Sequence, residues 1–236
     1  MKELFEKGEK MHHITNTAYP LRPTSLLRYK IKDAEEIRDL LKNDISKIDE
    51  LALYVHVPFC QSRCKFCEYA VVSGDDFDKK EEYVQALLKE IDMYKEIVGD
   101  KKILGYDMGG GTPTQLEIDQ LKRITEKIFK TFNFDENTEA SIETTPVIAA
   151  RDFDKIASLY DMGYRRISMG IQTINPKLLE AFGREGNNNI YKSACENIRA
   201  AGFKKFNVDL MYGFLNQDMD DFKATLEYAI SLKPEY

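Results

Sequence analysis

Leu51-Ala-Leu-Tyr-Val-His-Val57-Pro-Phe-Cys60-Gln-Ser-Arg-Cys64-Lys-Phe-Cys67 decides how this chain is read, because a β-rich run empties directly into three cysteines. Residues 51–57 hold an alternating, β-branched and aromatic pattern of the kind a strand needs. Pro58 cannot donate to a sheet ladder and ends the run. A loop at the carboxyl end of a strand is where α/β proteins keep their sites. Three thiols within eight residues are too crowded for a secreted disulfide framework, and they read as metal ligands in a reducing compartment.

Four further β-rich runs follow, at 103–108, 139–143, 166–171 and 205–211. Between and after them lie segments of helical periodicity at 83–94, 118–129, 153–160, 190–200 and 222–231. Such alternation predicts an α/β fold with parallel strands joined by helical crossovers. Periodicity alone does not distinguish an open doubly wound sheet from a (β/α) barrel. Gly163 and Gly202 stand between a helix and the next strand, where glycine enters the left-handed region cheaply.

The first fifty residues differ, with breaks at Tyr19-Pro20 and Arg22-Pro23 ahead of a charged amphipathic helix at about 34–43. Residues 1–50 are therefore expected to be a lead-in and 51–236 the main domain. Pro234-Glu235-Tyr236 stands where a sixth strand is due, so the chain is expected to be a fragment. With 34 basic and 40 acidic residues, a formal charge of -6, the bulk charge recruits neither nucleic acid nor an anionic membrane. No stretch approaches the roughly 20 apolar residues that span a bilayer, and residues 1–10 do not resemble an export signal. The expected location is the cytoplasm.

Thiolates hold iron–sulfur clusters, and four normally cap four irons. This loop offers Cys60, Cys64 and Cys67. Cys195 sits in a helical pattern whose apolar positions suggest core, so it reads as packing. Three ligands leave one iron open to chelate the amino and carboxylate groups of a small molecule. The alternative is structural zinc, which needs four ligands, commonly in two pairs. No second pair exists, and His56, the candidate to complete a zinc set, reads equally well as a satisfied interior histidine.

Cys-x3-Cys-x2-Cys with Phe66 before its last cysteine resembles the signature of the radical S-adenosylmethionine superfamily. Tyr54-Val-His-Val-Pro-Phe-Cys60, Gly109-Gly-Gly-Thr-Pro-Thr114, Gly170-Ile-Gln172, Phe182-Gly-Arg184 and Asp209-Leu-Met-Tyr-Gly213 resemble its oxygen-independent coproporphyrinogen III oxidase family. The resemblance covers nearly everything from residue 51 onward. It implies an incomplete parallel (β/α) barrel lacking its last strand and a C-terminal domain, with no catalytic residue yet assignable.

The implied cofactors are a [4Fe-4S] cluster and S-adenosylmethionine, one molecule or two, cleaved reductively to methionine and a 5'-deoxyadenosyl radical. The implied partners are a reductant such as flavodoxin or ferredoxin and a tetrapyrrole-like substrate, as in oxidative propionate decarboxylation. Relatives include methyl or methylene transferases and a haem-delivery chaperone, a binding protein rather than an enzyme.

Several residues gain a role from this resemblance. The turn at Gly110, Gly111 and Thr112 would let backbone approach the methionine amino group. Glu143 ends a strand and could accept hydrogen bonds from ribose hydroxyls or an ammonium group, though a solvated rim glutamate reads equally well from the residues alone. The resemblance moves Glu143, Gln172 and Asp209 toward cofactor binding. Arg184 would pair with the cofactor carboxylate, a geometry its planar guanidinium suits. Tyr54 could lie over the cofactor or fill the barrel. Two departures stand out. Tyr69 occupies a position where the family's decarboxylases carry a cysteine, and its chaperone and transferase relatives an aromatic; Phe214-Leu215 replaces the Leu-Pro that usually follows Tyr-Gly.

Overall fold

The computed structural model describes residues 34–235; the proline breaks at Pro20 and Pro23 lie outside them. Helix α1 (Ala34–Ser46) leads into β1 (Glu50–Val57), and the two-residue strands β2 (Phe59–Cys60) and β3 (Val72–Ser73) bracket the cysteine loop. Then come α2 (Phe77–Val98), β4 (Lys102–Gly110), a 3-10 turn (Pro113–Gln115), α3 (Ile118–Thr131), β5 (Asn133–Phe134) and β6 (Ala140–Thr144). After these follow α4 (Pro146–Arg151), α5 (Phe153–Asp161), β7 (Tyr164–Gln172), α6 (Pro176–Ala181), α7 (Asn188–Ala200), β8 (Lys205–Leu210) and α8 (Met219–Ser231).

All five expected strands form, and the main sheet runs β1-β4-β6-β7-β8 in sequence order, every pair parallel, with β5 added beside β4. A doubly wound sheet would reverse its order partway. This one never reverses, which is the winding of a barrel, and it stays open because β1 and β8 each pair with one strand among the described residues. The loop after β8 and helix α8 expose Tyr212, Leu215, Met219 and Ile230.

Helix ends follow local chemistry. Asp76 caps α2 by accepting from the Lys79 amide at 3.1 Å, and Gly99 closes it at a φ of 63°. That helix is therefore longer than the 83–94 its periodicity suggested, because caps rather than apolar spacing set its limits. Glu117 and Gln120 form a capping box on α3. Gly163 and Gly202 adopt φ of 105° and 106°, the left-handed turns expected of them.

One face of the sheet is apolar and covered. Ile103, Met108, Ile142, Ile167, Met169, Phe206 and Val208 pack there with Leu121, Ile124, Ile128, Ile156, Leu159 and Ile198 from the helices. The alternate residues Asp107, Glu143, Arg166, Ser168, Asn207 and Asp209 lie outside that core. A parallel sheet with one polar face has that face turned toward a space that holds something other than side-chain core. No helix among the described residues is long and apolar enough to cross a membrane.

Candidate functional site

Strand register assembles the site. Val57 lies opposite Gly110, Glu143 opposite Ser168, and Gly170 opposite Asp209. Because all these strands are parallel, their carboxyl ends meet at one mouth. There a cavity of about 480 Å³ is lined by Cys60, Cys64, Phe66 and Cys67 from the cysteine loop, with Gly110, Gly111, Thr112, Glu143, Gln172, Arg184 and Asp209 around it. Eleven of the twelve residues singled out in the sequence thus meet at one recess. Tyr54 does not line it. Its side chain is 48% exposed on β1, with its ring centroid 6.2 Å from that of His56.

The cysteine loop is tied at several points. Phe59 and Cys60 pair with Val72 and Ser73, the Cys67 amide donates to Cys64 O at 3.0 Å, and Arg63 Nη2 donates to Cys67 O at 3.0 Å. Cys60 Sγ lies 3.6 Å from Thr112 Oγ1, and Arg184 Nη1 donates to Cys64 Sγ at 3.7 Å. Burial pushes the Cys60 thiol up; the Thr112 hydroxyl opposes this, Cys67 and Cys64 add to it, and the Arg184 cation opposes it. Among the described residues no three such side chains converge on one metal ion. A cluster asks for a wider spacing, since each thiolate takes its own iron. Cys195 is 2% exposed inside α7, and burial pushes its thiol up to about 11, so it is the packing residue expected.

The glycine turn is required by the protein itself. A Cβ on Gly109 would lie 2.7 Å from the Glu143 carboxyl, one on Gly110 2.4 Å from the His56 ring, and one on Gly111 2.7 Å from Phe59 O. Space expected to admit a ligand is in large part filled by the protein's own atoms. The Gly110 amide donates to Glu143 Oε2 at 3.2 Å, Gly111 to Val57 O at 2.8 Å and Thr112 to Phe59 O at 2.7 Å. The turn therefore holds the cysteine loop and Glu143 together.

Four side chains here, Glu143, Gln172, Arg184 and Asp209, face the recess. Dehydration within the recess pushes the Glu143 carboxyl up to about 7; the Gly110 amide opposes this, and Asp209 and Asp107 add to it. The group still has surface open to cavity water, so its dehydration is that of a recess wall rather than of core. Gln172 carries a φ of 69°, rare for a residue with a side chain, beside a break in register between Gly170 and Gln172. Its side-chain oxygen is buried with no hydrogen-bond partner among the described residues. Strain together with an unmet acceptor is a feature of binding sites. Arg184 Nη2 donates to Gly170 O, where a Cβ on Gly170 would crowd both Gln172 and Arg184. Asp209 accepts from Asn207 Nδ2 at 2.6 Å.

The family model of the Radical SAM superfamily matches residues 54–229. The chain belongs to that superfamily. Membership implies a [4Fe-4S] cluster and S-adenosylmethionine. The oxygen-independent coproporphyrinogen III oxidase of Helicobacter pylori is 34% identical over 209 residues, 87% of this chain and 44% of that protein. The heme chaperone HemW of Buchnera aphidicola is 30% identical over 190 residues, 80% of this chain and 50% of that protein. Coproporphyrinogen III oxidase (HemN) from Escherichia coli superposes with a TM-score of 0.76 at 30% identity, over 84% of this chain and 45% of that one. The radical SAM chain thus spans about half the length of these relatives.

The sequence reading missed Ser168, Thr144 and Thr145, which also line the recess. Ser168 was findable, because it stands four residues before Gln172 and period two puts both on one strand face. Thr144 is the last residue of β6 and Thr145 the N-cap of α4, a strand-to-helix junction where neither period applies.

Proposed function

We propose that Cys60, Cys64 and Cys67 hold a [4Fe-4S] cluster with one iron open, and that the recess around them binds S-adenosylmethionine for reductive cleavage. The observation that carries this reading is the meeting of three thiols, Arg184 and the unpartnered Gln172 oxygen in a single cavity. The donor set fits the group: Arg184 suits a carboxylate, and Glu143, Gln172 and Asp209 offer acceptors to ribose hydroxyls and an ammonium. With the amides of Gly110, Gly111 and Thr112 committed within the protein, their carbonyl oxygens are what the turn has to offer an amino group. Phe66 walls the recess beside the thiols. Tyr54, exposed on β1 and outside the recess, would meet a substrate or a second cofactor molecule rather than the first.

When bound, the cluster and S-adenosylmethionine supply a 5'-deoxyadenosyl radical that takes a hydrogen atom from substrate, with the electron delivered by a flavodoxin- or ferredoxin-like reductant. This chain's own residues hold the methionine end at Arg184, orient the ribose at Glu143 and Asp209, and limit water at the thiols. The substrate class is tetrapyrrole-like, supported by the likeness to a coproporphyrinogen III oxidase and to a heme chaperone. Tyr69, which lines the recess where the resembling decarboxylases carry cysteine, favours a reaction other than propionate decarboxylation, such as methyl or methylene transfer, or haem delivery without turnover.

The test is anaerobic incubation of the reconstituted protein with S-adenosylmethionine, reductant and either coproporphyrinogen III or haem. Substrate-dependent 5'-deoxyadenosine is expected, with little protoporphyrinogen. Efficient formation of two vinyl groups would show that Tyr69 does not exclude the decarboxylase. Stoichiometric haem binding with no 5'-deoxyadenosine would instead favour the chaperone reading.

A further inference from the structure

Phe66, Phe182 and Phe214 come from three separate loops, following β2, α6 and β8, and their rings meet. Centroids are 5.6 Å apart for Phe66 and Phe182 in an edge-to-face pair, 6.2 Å for Phe66 and Phe214, and 4.3 Å for Phe182 and Phe214. All three are half-buried although Lys65, Gly183, Gly213 and Leu215 beside them in the chain are exposed. Phe66 lines the recess; Phe182 and Phe214 pack against its ring without lining the recess themselves.

The chain around them holds the rings in place. The Gln217 side-chain oxygen accepts from the amides of Gly213 at 2.9 Å and Phe214 at 3.4 Å, while the Gln217 amide donates to Phe214 O at 3.0 Å. The Lys65 amide donates to Phe182 O at 3.3 Å, and two residues beyond Phe182, Arg184 reaches Cys64 Sγ. Phe66 lies between Cys64 and Cys67, so whatever fixes its ring fixes the loop segment that carries two of the three thiols.

We propose that Phe214 is a positioning residue: with Phe182 it seats the Phe66 ring, and so holds the Cys64–Cys67 segment in place and limits water at it. The proposal rests on the cluster reading, since its value lies in what that loop holds. Reducing a thiolate-bound cluster adds negative charge, which water stabilises, so a better-shielded cluster has a lower potential.

The experiment compares the wild-type chain with Phe214→Ala, Phe214→Tyr and Phe182→Ala. In metal-free protein, trypsin should cut at Arg63 and Lys65 on the order of fivefold faster in Phe214→Ala, as expected for losing about one aromatic contact. In reconstituted protein, a chelator should strip iron faster from Phe214→Ala, and its midpoint potential, followed by electron paramagnetic resonance, should move to more positive values. Phe214→Tyr keeps the ring and should match wild type in all three. A folded Phe214→Ala with unchanged cleavage, iron loss and potential overturns the proposal; if that variant does not fold, Phe182→Ala faces the same criterion. Should wild type take up no iron, the cluster reading fails, and the trypsin arm still decides whether the rings hold the loop.

Discussion

Tyr106, Tyr164 and Thr125 form a polar cluster in the core, and Glu143, Gln172 and Arg184 form another at the mouth of the sheet. In the first, Tyr164 Oη lies 3.1 Å from both Tyr106 Oη and Thr125 Oγ1 and donates to Met108 Sδ at 3.7 Å. All three residues are at most 1% exposed, and each hydroxyl is answered by another. At the mouth, Gln172 keeps an unanswered oxygen and a strained backbone, Glu143 holds a raised carboxyl, and Arg184 spans a carbonyl and a thiol. A polar group that closes on its neighbours stabilises the fold, whereas one with unmet capacity waits for a ligand. The cysteines divide the same way, Cys195 inside a helix and the other three in a solvent-facing loop.

The largest effect expected from this division is all-or-none. Anaerobic reconstitution should give about four irons per chain, and alanine at Cys60, Cys64 or Cys67 should abolish the cluster. Cys195→Ala should retain full iron content and lose about 1 kcal/mol of stability, the usual size for a small core truncation. Iron and sulfide analysis with denaturant unfolding measures both. Loss of the cluster in the Cys195 variant would erase the distinction between the two kinds of cysteine.

A smaller effect probes the core side of the comparison. Tyr164→Phe leaves the Tyr106 and Thr125 hydroxyls short of a partner and should cost about 1–3 kcal/mol, read by urea unfolding of the metal-free chain. Iron uptake should not change. A variant that keeps its stability yet takes up less iron would mean that the core cluster serves the site and not the fold.

How much of this was legible depends on the kind of signal. The five strands were readable because apolar alternation is local, and Cys60, Cys64 and Cys67 stood out as candidate ligands because their spacing is unusual. The choice between doubly wound sheet and barrel was not readable from periodicity, since strand order depends on pairings between residues such as Val57 and Gly110 that are far apart in sequence. Short elements such as β2, β3 and α6 escaped because two to six residues carry too little pattern. The contacts of Gly109, Gly110 and Gly111 with Glu143, His56 and Phe59 were likewise hidden, and so the turn was read as space for a ligand alone. The Phe66, Phe182 and Phe214 cluster joins three loops that are far apart in sequence, a juxtaposition only the fold creates.

The smallest effect is the most discriminating, because it has opposite signs for stability and binding. The Glu143 carboxyl titrates near 4.5 when free and about 7 in the folded chain, chiefly through dehydration in the recess. Between those values the folded protein holds a proton that the unfolded chain has released, so stability falls as pH rises from 4.5 toward 7 and is level above it. Glu143→Gln removes that loss, so its melting temperature relative to wild type should climb over that interval and then stay constant. The shift should be modest, because cavity water reaches the carboxyl. Binding runs the other way under the proposed function: the ionised carboxylate is the better acceptor for a ribose hydroxyl or an ammonium, so wild-type affinity for S-adenosylmethionine should tighten as pH rises through about 7. The glutamine variant should bind more weakly at pH 8 and show little such trend. Melting curves across the interval and calorimetric titrations at its two ends measure both quantities on the same protein. Parallel pH profiles for wild type and Glu143→Gln would mean that Glu143 is an ordinary solvated rim carboxylate, and the spare polar capacity at the mouth would then rest on Gln172 and Arg184 alone.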